Sequence, residues 1–347
     1  MSATVSPVDS SASCAVHPTA PPFTPPSALP VLVATDGRAA AASALLVARR
    51  LAERLGGAPE VLDVLEPFPV YVDAPVACME ALEAERAAAT HEVLRDQIDA
   101  VVAAPWPAEV TFGVPAETIA RVADERRAAL VVLGIGRHRL VDRLFGSETA
   151  LQVLRSGDRP VVAAGPDADG VIRHAVAAVD FSAASVRAAA IAAQLVVPGG
   201  TLSLVHVRSR PEPRRPRAAE QVPATGADEL LRRLAFGLRF GTVGDDDCCY
   251  ARGRRDVTIG TAVLVGDPAA EVLDYAERAG VDLVAVGTHG PGLVERLLVG
   301  SVAADVVRLT SVRLPAGSVL CCPEPASAWP PGPGNSAAFR RDPAPSV

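Results

Sequence analysis

Short unbroken apolar runs alternate along the chain with longer stretches in which apolar residues recur at helical spacing. Val31-Leu-Val-Ala34 and Leu130-Val-Val-Leu133 are of the first kind, and such runs predict strands covered on both faces, as in a parallel sheet packed between helices. Leu45, Ala48, Leu51, Ala52 and Leu55 are of the second kind, with Arg49, Arg50, Glu53 and Arg54 opposite and Gly56 as the stop. They predict a helix with one face on the sheet. Asp267 as N-cap and Pro268 in the first turn open another, which carries Val272, Tyr275, Ala276 and Ala279 to Gly280, and Pro115 to Arg127 follows the same logic. The predicted order is strand, helix, strand, variable helical segment, strand, helix, strand, glycine loop, helix and strand. This is an open α/β sheet.

That order occurs twice. Val31-Leu-Val-Ala-Thr-Asp36 is echoed by Ala175-Val-Ala-Ala-Val-Asp180, Val61-Leu-Asp-Val64 by Leu202-Ser-Leu-Val-His-Val207, and Gly113-Val-Pro115 by Gly266-Asp-Pro268, at offsets near 144 to 154. Two copies of one domain, over residues 29–166 and 172–322, with Gly165 to Gly170 as the turn-rich joint, account for most of the 347 residues. Much of the chain's proline gathers near its ends, and residues 1–28 and 323–347 read as disordered Pro-rich tails. Pro67 to Pro75 and Pro211 to Pro223 read as loops; Gly237 to Tyr250 has no clear element, and its Asp245-Asp-Asp247 suits a solvated turn better than a cation site.

Charge and composition narrow the function. A net charge of -7 argues against a coat for nucleic acid, and no apolar run reaches the roughly 18 residues that cross a bilayer. The first residues lack the basic start and apolar run of a secretion signal, so the expected location is cytoplasmic. All 33 basic residues are arginine, which removes both the phosphate loop ending in Gly-Lys and the Schiff-base lysine enzymes. The six cysteines have no C-x-x-C spacing and support neither a disulfide framework nor a zinc site.

Ligands of open parallel sheets bind at the carboxyl ends of the strands. Asp36 and Asp180 end the first strand of each copy, the second followed by Phe181-Ser182. After the fourth strand of copy two comes Gly287-Thr-His-Gly290, then nine residues, then Gly300-Ser301 opening a helix. Glycines let backbone N–H groups approach phosphate closely, and the helix start adds N–H donors and the positive end of its dipole. An anion site results without lysine.

This Gly-x-x-Gly-x9-Gly-Ser pattern, the strand-ending Asp180-Phe-Ser182, the His206-Val207 strand end and the Gly266-Asp-Pro268 helix start together resemble the universal stress protein family, in its tandem two-domain form. The resemblance implies two five-stranded Rossmann-like sheets of strand order 3-2-1-4-5, akin to the adenine nucleotide alpha hydrolases, and binding of ATP, ADP or AMP. It implies that Ala178, Val179 and Asp180 contact adenosine, that Val207 meets adenine through its backbone, and that Val286, Gly287 and Gly290 line ribose and phosphates. Gly300, Ser301 and Val302 would then hold the phosphates, with Mg2+ accompanying the nucleotide. It also implies pairing of the last strands, Pro160-Val-Val-Ala-Ala164 and Ser318-Val-Leu-Cys-Cys322, inside one chain, with homodimerisation left open.

Copy one departs from the pattern. Its counterparts are Asp36, Val64, Gly134, Gly136, Gly146 and Ser147, but one residue is missing between the first two glycines, and Glu148 places a negative charge in what reads as the first helical turn. Arg137, His138 and Arg139 are either compensating phosphate ligands or a solvated loop. Copy two is therefore expected to be the better site. Plainer readings stand beside these: Asp36 and Asp180 as helix caps, the glycines as an empty tight loop, His206 as structural, His289 as solvent-facing. No G-x-S-x-G, H-E-x-x-H or paired carboxylates mark a catalyst. The chain reads as a nucleotide-binding stress regulator, with a nucleotide-free scaffold and a nucleotide-transferring enzyme as alternatives.

Overall fold

A computed structural model gives the fold and describes residues 6–7, 29–37, 41–68, 76–101, 105–135, 143–208, 224–241, 253–288 and 299–324. Copy one runs β2 (Val31–Ala34), α1 (Ala41–Leu55), β3 (Pro59–Leu65), α2 (Val76–Val101), β4 (Ala108–Phe112), α3 (Pro115–Glu125), β5 (Leu130–Gly134), α4 (Arg143–Ser156) and β6 (Val161–Ala164). Copy two repeats it as β7 (His174–Ala178), α5 (Ala183–Leu195), β8 (Thr201–Arg208), α6 (Ala224–Phe240), β9 (Thr258–Val265), α7 (Pro268–Ala279), β10 (Leu283–Gly287), α8 (Ser301–Arg313) and β11 (Ser318–Cys322). Ser6–Pro7, labelled β1, adds a two-residue antiparallel pairing to β9 at Thr261 and Gly260. The rest of residues 1–28 and 325–347 lie outside the described residues, as do 69–75 and 209–223.

Within each copy the strands are parallel, in the order 3-2-1-4-5. The copies then share one sheet, because β6 and β11 pair antiparallel, with Val161 opposite Cys321 and Ala164 opposite Ser318. Alternation along the strands sends side chains to two continuous apolar layers. Val31, Val33 and Val61 face α1 and α2, and the same layer runs on under α5 and α6; Leu32 and Leu62 face α3 and α4, and that layer continues under α7 and α8. Cys321 and Cys322 fall on opposite faces and, being neighbours in a strand, present their thiols to different layers. Burial pushes the Cys321 thiol upward, so it stays protonated and inert.

Local chemistry explains the helix ends. Asp267 caps α7 by accepting the Ala270 N–H at 3.0 Å, and Gly280 ends it in the left-handed conformation at φ 60°. The third helix stops at Glu125, two residues before the predicted end, because Arg127 takes φ 52°. Gly237 proves to lie inside α6: Leu231, Leu234 and Leu238 bury one side of that helix, and their packing outweighs the roughly 1 kcal/mol that a helical glycine costs. Residues 242–252 lie outside the described set. Among the described residues no helix is long and apolar enough to cross a membrane.

Candidate functional site

The switch point of copy two lies where β7, joined to β8 on one side and to β10 on the other, feeds α5. A cleft of about 280 Å³ opens there. Ala178, Val179 and Asp180 form its floor at the end of β7; Val205, His206 and Val207 close one side, and Val272 of α7 the other. Val286 and Gly287 end β10, Thr288 follows them, and Gly300 to Ala303 bring in the start of α8. Ser185, Val205, Pro268, Val272, Thr288 and Ala303 also line the cleft, although nothing in the sequence assigns them a ligand contact.

Asp180 does not cap α5. Its Oδ1 accepts the Ser182 N–H at 2.9 Å and the Ser182 hydroxyl at 2.5 Å, while Ser182 is the N-cap and accepts the Ser185 N–H at 3.2 Å. Between them Phe181 holds φ 65°, unusual for a residue with a Cβ. Its ring packs 4.9 Å from that of His206, whose Nδ1 lies 2.7 Å from the Val179 carbonyl. His206 thus braces the turn under the cleft. Gly287 is needed for closeness: a Cβ there would come 2.7 Å from the Ser185 nitrogen and 2.9 Å from the Ala184 carbonyl carbon.

The α8 end of the cleft works differently from a bare row of amides. The Gly300 N–H is spent on the Thr288 carbonyl at 2.7 Å, and the Thr288 N–H on the Cys322 carbonyl at 3.0 Å. The first bond ties the start of α8 to the end of β10, and the second ties that end to β11. Gly300 is the N-cap, and the first intrahelical bond runs from Ala304 N–H to the Gly300 carbonyl at 3.0 Å. Ser301, Val302 and Ala303 therefore have no intrahelical acceptor, and they carry the helix's positive end. His289 and Gly290 lie outside the described residues.

Copy one is built otherwise. Asp36 is exposed, Val64 and Gly134 are half-buried, and Gly136, Arg137, His138 and Arg139 lie outside the described residues. Its fourth helix begins at Arg143, so Gly146 and Ser147 sit within the helix rather than at its mouth. Glu148, expected in the first turn, is past it and pairs with Arg155 at 3.5 Å and with Arg308 of α8 at 3.6 Å. In the place of His206 stands Asp63, 3% exposed. Burial, and then the Asp36 charge, raise its carboxyl to about 6 against the pull of Arg86. A larger hollow of about 450 Å³ lies elsewhere, between α1, the end of α2 and residues 166–169, and no strand end contributes to it.

Comparison with known proteins agrees with this architecture. A universal stress protein solved from Archaeoglobus fulgidus superposes with a TM-score of 0.58 at 18% identity, over 86% of this chain and 99% of that one. Another, solved in complex with cAMP, aligns at 24% identity over 44% of this chain and 97% of its own, with a TM-score of 0.29. The curated universal stress protein MJ0531 of Methanocaldococcus jannaschii is 44% identical over 52 residues, 15% of this chain, which spans 31% of that relative. The sequence profile described as "Universal stress protein family" matches residues 29–164 and again 172–314. Two matches that lie end to end and cover well over half of the polypeptide place the chain in the universal stress protein family, as a tandem of its domain.

Proposed function

We infer that the copy-two cleft binds an adenine nucleotide, ATP, ADP or AMP, and that its occupancy is the protein's signal in a stress response. The observation that carries this reading is the meeting, at a sheet switch point, of an apolar slot and a helix start with N–H groups left over. Val205, Val207, Val272 and Val286 suit a flat heteroaromatic ring. Asp180 has one oxygen held by Ser182, and the other is the natural acceptor for a ribose hydroxyl. Ser301, Val302 and Ala303 would receive phosphate, since a helix start favours anions.

Magnesium would enter with the phosphates. Among the described residues no three His, Cys, Asp or Glu side chains gather to hold a metal, so the phosphate oxygens would have to supply most of its ligands. Retention rather than turnover is expected: the Asp180 carboxylate is engaged by Ser182, and His206 by the Val179 carbonyl. The β6–β11 pairing would join the two copies as a built-in pair.

The direct test is mass spectrometry of the nucleotide released when freshly purified protein is denatured, with and without prior incubation with ATP. Adenine nucleotide near one equivalent supports the reading. No nucleotide under either condition favours the scaffold alternative, and conversion of ATP in the presence of a second substrate favours the enzyme.

A further inference from the structure

The internal repeat allows the two clefts to be compared wall by wall within a single chain. Register fixes the equivalences. Ala34 pairs with Leu62 and Leu133 as Ala178 pairs with Val205 and, one step past the last register pair, Val286. The Ile135 N–H donates to the Ala164 carbonyl as the Thr288 N–H donates to that of Cys322. Pro115 and Pro268 both open the third helix of their copy, which sets Ile119 against Val272.

At four wall positions copy one carries the larger apolar group: Leu62 for Val205, Ile119 for Val272, Leu133 for Val286 and Ile135 for Thr288, whereas Ala34 and Pro115 match Ala178 and Pro268 and Asp63 is smaller than His206. All four of the larger side chains are buried, as are the four smaller ones of copy two, so the difference in bulk lies inside the wall and not at the protein surface. The fourth helix acts in the same direction, since Gly146 and Ser147 lie inside α4 and their N–H groups are turned into the helix ladder.

We propose that side-chain bulk at these four positions closes the nucleotide slot of copy one, so that the chain carries one nucleotide, in copy two, and that Val272 and Val286 are the residues whose small size keeps the second slot open. This rests on the reading of the copy-two cleft as a nucleotide site. Copy one is then a packed partner domain whose core continues through the place where a base would lie.

The test transplants copy one's walls into copy two of the full-length chain, as Val272→Ile with Val286→Leu. Both replacements already occur at equivalent positions of the same fold, so the variant should keep its circular dichroism spectrum and melting temperature. One methylene in a hydrophobic pocket changes binding by about 10- to 200-fold, and the double variant should lose at least about tenfold in ATP affinity by titration calorimetry. Photolabelling of the wild type with 2-azido-ATP, followed by peptide mapping, gives a second readout that needs no variant, and label should appear only on copy-two peptides. One nucleotide bound with unchanged affinity in the double variant overturns this inference alone, as does label on copy-one peptides or two nucleotides per wild-type chain. A wild type that binds no nucleotide overturns the underlying reading and this inference with it.

Discussion

Asp63 is the residue at which the two copies differ most in chemistry. A carboxyl group within β3, 3% exposed, beside the charge of Asp36 and with Arg86 of α2 as its opposing cation, holds its proton up to about pH 6. Since folding raises this pKa from 3.8, the native chain binds the proton more tightly than the unfolded chain. The resulting stabilisation is complete below about pH 4 and is lost as pH rises through about 6, a change of up to roughly 3 kcal/mol. Asp63→Asn cannot ionise and lacks this dependence. Urea denaturation at intervals from pH 4 to 8 should show the variant gaining on the wild type as pH rises; parallel profiles would mean that Asp63 ionises freely in the folded chain. His206, at the equivalent point, braces Phe181 instead, and one strand position thus serves proton linkage in one copy and turn geometry in the other.

At the scale of elements, the decisive contacts gather at helix ends. Two arginines, one from each copy, converge on the C-terminus of α5. Arg254 is buried and donates to the carbonyls of Ala193, Gln194 and Val196 while its Nε bonds Asp256 at 2.8 Å. Arg54 of α1 reaches the Val196 carbonyl from the other copy at 2.9 Å. Arg254→Ala leaves several carbonyls unsatisfied and should cost about 3 kcal/mol, whereas Arg54→Ala, at a half-buried site, should cost about 1. Thermal or urea denaturation of both variants measures the difference, and an equal, small cost would show that water replaces Arg254 without penalty. The N-terminal ends matter as much for the site: α8 opens at Ser301 and α4 opens before Gly146, although both segments carry the same Gly-Ser pair.

Over the whole molecule, the two units form one sheet with a continuous apolar layer on each side. Much of this was legible in the sequence because it is local or periodic. The repeat offset, the apolar runs and the Gly-Asp-Pro helix start each state their structure within a few residues. The features that were not legible depend on distant partners. Glu148 gives no sign in sequence of Arg308, and nothing local sets the start of α4 at Arg143. The proton affinity of Asp63 depends on Asp36 and Arg86, and the ring of Phe181 packs on that of His206, each a partner distant in sequence. Around the candidate site the glycines and Asp180 stand out by residue type, but the bond from the Gly300 N–H to Thr288 does not, and it leaves Ser301, Val302 and Ala303 as the donors without an intrahelical acceptor.

Nucleotide binding is proposed for the start of α8 in copy two and not for the matching segment of copy one. Equilibrium binding of ATP to full-length Gly300→Val and Gly146→Val, each checked for native circular dichroism, addresses it most directly. At Gly300 an added side chain presses on the Thr288 carbonyl, 3.0 Å from the Cβ position, and distorts the helix mouth, whereas position 146 lies within a formed helix. Gly300→Val is expected to abolish binding and Gly146→Val to leave it nearly unchanged; equal losses in the two variants would overturn this assignment.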